Sequence, residues 1–486
     1  MIFNGSIVIV GLGTIGLGVI PLLLKHIDFT RGAATAIRVI TGEDRAKQGA
    51  EVRAKFGIQF RVELLTETNY VWMLDDHRLE PGDFLLNLSV DVSSCALLPY
   101  CHDRGLLYLD TVVEPWLGVY YDASLTMSQR SNYAMRHDAI KLKESFGPNA
   151  PTALITCGAN PGLVSFFTKQ ALLNLKLEQD GHEENKGVSE IERDLSRREW
   201  AQLAQKLGLQ TIHIAERDTQ FAATRKVTGE FTNTWSVDGF LSEAQQPAEL
   251  GWGTHEKAIP ADGAEHDFGC GSAIYLRQPG ASTLVRTWTP MEGPFHGLLV
   301  THNESISIAS FFTLKENDEV VYRPTVHYAY HPCDDAVLSL HELRGKNFAR
   351  PASKKVLVDE IVGGADELGV LLMGERNGRP WAYWYGSQLS AANAKKHAEY
   401  NSATSLQVTA TILGGMMWAI KNPARGILEP DELPHHEILS FAKPYLEPVV
   451  GVHTTWTPLE GRNGEQQLFA EDIDLSSPFQ FKNVRV

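Results

Sequence analysis

The sequence predicts an α/β protein: a Rossmann-type doubly wound parallel sheet followed by a second, α+β domain. Three observations predict it. Ile7-Val8-Ile9-Val10 runs directly into Gly11-Leu12-Gly13-Thr14-Ile15-Gly16, a GxGxxG motif, and then into a helical stretch that reaches about His26. Short apolar runs then alternate with helical spacing as far as Thr156. Past that point the rhythm changes to short β-like runs and one late apolar helix.

The elements follow in order. Residues 7–10 are apolar without a break, as in a parallel strand buried on both faces. In GxGxxG the first glycine makes the tight turn and the second lets the backbone approach a pyrophosphate. The third allows close helix–strand contact, and the helix N-terminus favours the phosphate charge. That assigns Gly11, Gly13, Thr14, Ile15 and Gly16 to a dinucleotide. Pro21 falls inside the helix, where proline costs about 3 kcal/mol, so a kink or a short first segment is expected. Residues 37–40 read as the second strand. It ends at Thr41 where a ribose-binding acid is expected, and Glu43 and Asp44 follow within reach, with Arg45 close by. NAD is favoured over NADP on this pattern. Residues 46–56 read as a helix, 60–62 as a short strand and 84–90 as a buried strand. Residues 95–104 read as a helix ended by Gly105, and 106–109 as a strand ending at Asp110-Thr111. Residues 153–156 close the series at Cys157-Gly158-Ala159-Asn160-Pro161-Gly162. The charged stretch 175–198 reads as surface loop with helix, and 211–330 as short strands, such as 273–276 and 297–301. Residues 403–420 form a long apolar helix that Asn422-Pro423 stops, and the polar last forty residues carry no assignable element.

Composition bounds the function. At 486 residues the chain holds two or three domains. Hydrophobic residues at 43% and charged residues at 21% supply a sizeable core and exclude disorder for the bulk of the chain. The formal charge of −15 repels phosphate backbones, so nucleic acid is disfavoured as a partner, whereas cations such as polyamines are attracted. No charged residue precedes Lys25, but the segment has no positive n-region. Five glycines, Asn4 and Pro21 interrupt it below the roughly 20 residues a membrane span needs. A soluble protein without a membrane partner is expected. The five cysteines, an odd number without a CxxC pair, fit a reducing cytoplasm.

Several residues suggest chemistry. Asp91 and Glu114 follow strand ends, where open α/β sheets bind ligands. The second domain offers His213-Ile-Ala-Glu216-Arg217-Asp218-Thr219, Asn233-Thr-Trp235 with Glu243, and Thr301-His302-Asn303-Glu304-Ser305. Each has a plain alternative: a solvated acid, a core tryptophan, a Glu216–Arg217 ion pair, a scaffold histidine. His327 and His331 stand four apart near Asp334 and Asp335, but without the glutamate of HExxH no metal is assigned. Neither a GxSxG elbow nor a P-loop is present.

The segments GLGTIG, NLSVDVSS, LDTVVEPWLG, TCGANPGLVS, HIAERDTQ, NTWSVDGF, QPAELGWGTHEK, VTHNESISI, YRPTVHYAYHPCDDAVLSLHEL, ADELGVLL and YWYGSQL carry a resemblance to the bacterial homospermidine synthases over essentially the whole length. A wider, weaker similarity runs to saccharopine-dehydrogenase-like reductases, in which a late helix returns to the first domain. The resemblance implies an NAD-binding Rossmann domain over 1–157, a substrate and dimerisation domain over 158–402, and the return helix with a C-terminal extension over 403–486. It implies a cytoplasmic homodimer that joins two putrescines into homospermidine with release of ammonia. Spermidine serves as an alternative donor, releasing 1,3-diaminopropane. NAD is retained: one amine is oxidised to an imine, a second amine attacks, and the new imine is reduced by the same cofactor. On this resemblance Asp91, Glu114, Glu216 and Glu243 contact amines, Trp235 faces an iminium cation, Asn160 and His302 lie near the reacting amine, and Asp366 binds the distal ammonium. Glu216 or Glu243 is the general base. Ser89, Asp110, Thr111, Cys157 and Asn160 are expected along the cofactor. Two alternatives stand beside this reading. A saccharopine- or carboxynorspermidine-type reductase needs an arginine clamp for a carboxylate, and only Arg217 is close in sequence. A non-enzymatic NAD- or polyamine-binding regulator needs no functional base.

Overall fold

The computed structural model describes residues 1–181, 195–462 and 472–486. Seven parallel strands form the first sheet. From one edge they are Ile427–Leu428, Ala153–Leu154, Leu107–Asp110, Phe84–Asn87, Ile7–Val10, Ile37–Thr41 and Gln59–Val62. Ile7–Val10, the earliest of these strands in the chain, lies inside the sheet, and the winding reverses between it and Phe84–Asn87. That reversal opens a crevice at the carboxyl ends of both strands. Ile7 and Ile9 enter one core and Val8 and Val10 another, so both faces are covered. This is why the strand reads as an unbroken apolar run.

Four details depart from expectation. The first helix, Thr14–His26, continues through Pro21, because burial of Val19, Ile20, Leu22 and Leu23 offsets the lost backbone bond. The strand expected over 84–90 stops at Asn87. The Asn87 side chain accepts from Ser89 N–H and donates to Val92 C=O, and so turns the chain away. Residues 153–156 do not close the sheet, since Ile427–Leu428 adds beyond them. Of the stretch 175–198, the part over 182–194 lies outside the described residues. Before it helix Leu163–Gln179 continues, and after it helix Arg197–Lys206 begins with a Ser196–Glu199 capping box.

The second sheet has ten strands. Its spine runs Gly263–Glu265, Ala273–Pro279, Pro247–Gly251, Thr325–His331, Leu209–Asp218, Ala365–Arg376, Arg379–Ser390 and Val449–Thr454. The pair Leu284–Thr289 and Gly293–Leu298 branches from Thr325–His331. The central pair, Leu209–Asp218 with Thr325–His331, is parallel, and the neighbouring pairings along the spine are antiparallel. Alternation decides what each face meets. Ile212, Ile214, Tyr328, Tyr330, Leu368 and Val370 join the core that holds Ile7 and Ile9, so this face is turned on the first domain. Ala215, Leu371, Met373 and Trp384 face away and pack with Trp456 and Phe479.

The late helix, Ala403–Lys421, joins the domains. It is long and apolar enough to cross a membrane by composition, yet it is buried almost throughout inside the fold. Just before it, Asn401 donates to the Gly18 carbonyl, and a Cβ on Gly18 would collide with the Asn401 amide. The two helices therefore meet through a glycine notch.

Candidate active site

The glycine motif behaves as its chemistry requires. Gly11 has φ +98°, and a Cβ there would strike the Leu88 carbonyl. A Cβ on Gly16 would overlap the Gly11 carbonyl, so the third glycine lets the helix seat on the strand. Among the described residues no atom lies within 4 Å of where a Cβ on Gly13 would stand. Thr14 and Ile15 open the helix beside that space, with Gly13 at the N-cap. A helix N-terminus facing open room over a glycine fits a pyrophosphate. Ser89 sits against Gly11 and donates to the Val90 carbonyl at 3.1 Å. Thr41 is buried and Asp44 pairs with Arg45 at 3.3 Å; the side chain of Glu43, the other ribose candidate, lies outside the described residues.

Two expected cofactor residues are turned inward. Asp110 is buried, with Oδ1 accepting from Thr156 N–H at 2.7 Å and Oδ2 from the Tyr108 hydroxyl at 2.8 Å. Burial pushes its carboxyl up to about 7, against those hydrogen bonds. Cys157 is buried against Gly415 of the late helix, and burial pushes its thiol up to about 12. Both side chains brace the loop over 157–162, and any contact of Cys157 with a ligand is left to its backbone. Thr111 packs against Gly158 of the same loop. The loop delivers Asn160 to the second domain.

There the acids gather. Asn160 Nδ2 donates to Glu216 Oε2 at 2.7 Å, and the Tyr328 hydroxyl donates to the same oxygen at 2.5 Å. Glu216 is buried near the end of Leu209–Asp218, in register with Tyr330 on one side and Leu368 on the other. Burial, then Asp218, raise its pKa, while Tyr328, Asn160 and His302 lower it, leaving it at about 7. Asp218 is saturated by Gln220 N–H, Gln220 Nε2 and the Thr234 hydroxyl. Asp366 pairs with Asp218 across the strands and is fully buried. Among the described residues none donates to either of its oxygens at good geometry, although Thr404 and Glu216 lie beside it. Burial, then Glu216 and Asp218, hold its carboxyl well above the usual range.

Trp235 precedes helix Val237–Gln245, which carries Glu243 one face along. Its Nε1–H donates to the Tyr330 hydroxyl at 2.9 Å. Glu243 Oε2 meets His302 Nε2 at 3.0 Å, and Glu304 Oε1 meets Nδ1 at 3.2 Å. Burial opposes a charge on His302, but Glu243 and Glu304 outweigh it and hold the pKa well above the ordinary value. Glu114 is buried nearby. Burial, then Asp91 and Glu243, push it up to about 8. Asp91, with φ +61°, is raised by burial and by Asp238, against Arg350. Such a set can hold ammonium groups, keep one carboxyl poised to exchange a proton near neutrality, and present an aromatic face to a cation.

The structure thus brings Asn160, Glu216, Trp235, Glu243, His302 and Asp366 together, with Glu114 and Asp91 electrostatically linked to them. Arg217 points to the other face of the sheet, toward Glu292 and Asp334, so it supplies no clamp for a carboxylate. His327 and His331 also face that side. His327 rests 4.1 Å from His213, and burial pushes its pKa down to about 3. Among the described residues no group of three or more His, Cys, Asp or Glu is arranged to hold a metal. Sequence reasoning missed Tyr328 and Tyr330, and named Glu304 only within a segment, without a role. The alternation in Val326-His327-Tyr328-Ala329-Tyr330 puts both tyrosines on one face, but only the register with Glu216 shows which face matters.

The chain is similar to known proteins over essentially its whole length. Residues 7–154 match the family model Saccharopine dehydrogenase NADP binding domain, and residues 158–452 match Saccharopine dehydrogenase C-terminal domain. The chain is 50% identical to a homospermidine synthase of Blastochloris viridis, covering 99% of this chain and 98% of that protein. It is 48% identical to one of Mesorhizobium japonicum, covering 99% and 96%. A crystal structure of a homospermidine synthase from Legionella pneumophila, in complex with NAD, superposes with a TM-score of 0.88 at 43% identity, covering 100% of this chain and 98% of that one.

Proposed function

This chain belongs to the homospermidine synthase family, and we propose that it joins two putrescines into homospermidine and ammonia, accepting spermidine as an alternative donor. The observation that carries the reading is Glu216: a buried carboxyl near neutrality, held by Asn160 and Tyr328, linked to the Trp235 indole through two stacked tyrosines and lying beside an acid with no donor at good geometry among the described residues. The glycine motif fits NAD, which Gly11, Gly13, Thr14, Ile15, Gly16 and Ser89 would hold. Bound there, NAD supplies a hydride acceptor that can return the same hydride. The protein's residues do the rest. A protonated amine cannot yield a hydride, so Glu216 first accepts an ammonium proton; its value of about 7 suits that exchange. Asp366 holds the distal ammonium of that amine, which supplies the donors its carboxylate lacks. Trp235 presents its face to the cationic imine carbon and nitrogen. Glu243, kept in place by His302, and the acids Glu114 and Asp91 receive and orient the second amine. Asn160 keeps the Glu216 carboxylate turned toward the reacting nitrogen. The imine has to be kept from water, which would hydrolyse it to an aldehyde.

In this reading residues 1–157 bind the cofactor, 158–402 the amines and the partner copy, and 403–486 tie the two. The enzyme acts in the cytoplasm as a homodimer, and its five free cysteines are in keeping with a reducing compartment. Incubation with putrescine and NAD, with the amines separated and NADH absorbance followed, tests it. Homospermidine without lasting NADH is expected. NADH accumulating in step with product would make the protein a dehydrogenase, and neither product nor NADH would leave a binding protein.

A further inference from the structure

Trp235 and Glu216 are joined by a pair of tyrosines. Tyr330 accepts from the indole Nε1–H at 2.9 Å, and Tyr328 donates to the Glu216 carboxylate at 2.5 Å. The two phenol rings stack on each other with centroids 5.3 Å apart and planes 10° apart. Both are buried on one strand, two residues apart, and Tyr330 is in register with Glu216 itself. The ring of His302 lies 4.4 Å from that of Tyr328. Phe240 wedges between Trp235 and Tyr330, with centroids 5.7 Å and 5.6 Å away. The indole therefore keeps its packing if the Tyr330 oxygen is removed but loses the bond that fixes its plane.

We propose that Tyr330 and Tyr328 are positioning residues that hold the cation-facing indole and the proton-accepting carboxyl as one unit. Tyr330 sets the plane of Trp235 through Nε1–H, and Tyr328 sets the orientation and the proton affinity of Glu216 through its hydroxyl. The stack between them passes a displacement of one to the other. This rests on the functional reading above and deepens it. An indole face attracts a cation only along its normal, so a loosened ring loses most of the benefit. The charged groups facing Glu216 are Asp218 on its own strand, Asp366 on the next strand, and His302 with Glu243 and Glu304 behind it. Tyr328 and Asn160 are the donors among them. A donor to the ionised carboxyl favours that form, so its loss raises the pKa.

The experiment compares purified full-length wild type with Tyr330→Phe, Tyr328→Phe, Trp235→Phe and the double variant Tyr330→Phe/Trp235→Phe, with putrescine and NAD across pH. Tyr330→Phe is expected to lower kcat by about tenfold in the wild-type background. It should change almost nothing where Trp235 is already Phe, because no Nε1–H remains to hold. Tyr328→Phe is expected to move the acidic limb of kcat/KM upward by about one pH unit, with activity regained at high pH. An equal loss from Tyr330→Phe in both backgrounds, or a pH profile lowered without displacement by Tyr328→Phe, would overturn the proposal. Two spectroscopic readouts stand apart from activity. One is the indole N–H Raman signature, isolated by subtracting the Trp235→Phe spectrum. The other is the carboxyl infrared titration, isolated with Glu216→Gln. An unmoved indole band in Tyr330→Phe, or an unmoved carboxyl titration in Tyr328→Phe, counts against the proposal even if the wild type forms no homospermidine. That last result would overturn the functional reading separately.

Discussion

Thr301 and His302 are neighbours in the chain, yet they serve two acid clusters of opposite character. The Thr301 hydroxyl donates to Glu249 at 2.6 Å. Glu249 also accepts from Asn132 N–H at 3.0 Å and Tyr133 N–H at 3.3 Å, the first turn of helix Asn132–Phe146, and lies 3.4 Å from His266 Nε2. His266 in turn meets the Ser128 hydroxyl at 2.7 Å and stacks on Tyr133, centroids 3.8 Å apart. Serine, histidine and glutamate in that order have the outline of a nucleophilic triad. All three are buried, and the acid is saturated by donors from both domains. Its work is to pin a first-domain helix by its N-terminus to a second-domain strand. One residue later, His302 stands between Glu243 and Glu304 at the edge of a group in which Asp366, among the described residues, has no donor at good geometry and Glu216 accepts from Asn160 and Tyr328. The difference teaches that burial and acid–histidine contact do not mark a site. What sets the second cluster apart is the Asp366 carboxylate beside Glu216, whose oxygens meet no donor at good geometry among the described residues; that costs the fold and is tolerated where a ligand brings the missing protons.

Substitutions can break or sharpen that contrast. The largest effect is expected from Glu216→Gln, which should lower turnover by about 10²–10⁴-fold while NAD affinity and thermal stability stay at wild-type level. A variant that keeps a tenth of the activity would remove Glu216 as the base. Next comes Glu249→Ala, which strands several buried donors and should cost about 2–4 kcal/mol in a denaturant titration. Turnover per folded molecule should hold; an equally stable but inactive Glu249→Ala would reverse the assignment of the two clusters. Asp366→Asn should do the opposite of Glu249→Ala, raising KM for putrescine by about tenfold while leaving the ligand-free protein as stable or about 1 kcal/mol more so.

The sign for pH follows from the raised values. Asp366, Glu216 at about 7 and Glu114 at about 8 all hold their protons more tightly folded than unfolded. Their contribution to stability is therefore full at low pH and is lost as pH rises through those values. The Tm of the ligand-free protein should fall between about pH 5 and about pH 8, less so in Asp366→Asn, and putrescine should flatten the slope. A slope that putrescine leaves unchanged would mean that the amines do not bind these acids. The smallest effect belongs to Asp91, half-buried and facing Arg350 and Asp238. Asp91→Asn should raise KM by about threefold at low salt and by nothing measurable at high salt.

The first domain was legible because its signals are local. An apolar strand, three glycines and a helix at 46–56 announce themselves within a few residues. The candidate acids were found through segments that resemble a family, and composition alone offered several plain readings of each. What escaped depends on register between distant strands. The long hairpin Ala365–Arg376 with Arg379–Ser390 turns at Asn377-Gly378, φ +53° and +72°, a dipeptide that does signal a hairpin. The strands that it joins are apolar on both faces and lack alternation. Tyr328 and Tyr330 could be placed on one face but not beside Glu216, since that neighbour lies more than a hundred residues away. Asp110 and Cys157 sit at strand ends as ligand residues do, and only the contacts of Thr156 and Gly415 show them turned inward.

The edge strand Ile427–Leu428 bears on how the protein is made. It pairs with Ala153–Leu154, about 270 residues behind it in the chain. At about 5–20 residues per second the ribosome needs roughly 15–55 s to bridge that interval. For that time the nascent cofactor-binding half lacks both its seventh strand and the helix Ala403–Lys421 that roofs it. The sheet edge at Ala153 and the apolar bed of that helix are then open to other chains. Chaperone demand should therefore extend from the completion of Ala153–Leu154 to the emergence of Ile427–Leu428, and a premature stop near residue 400 should yield aggregates in place of a separable NAD-binding fragment.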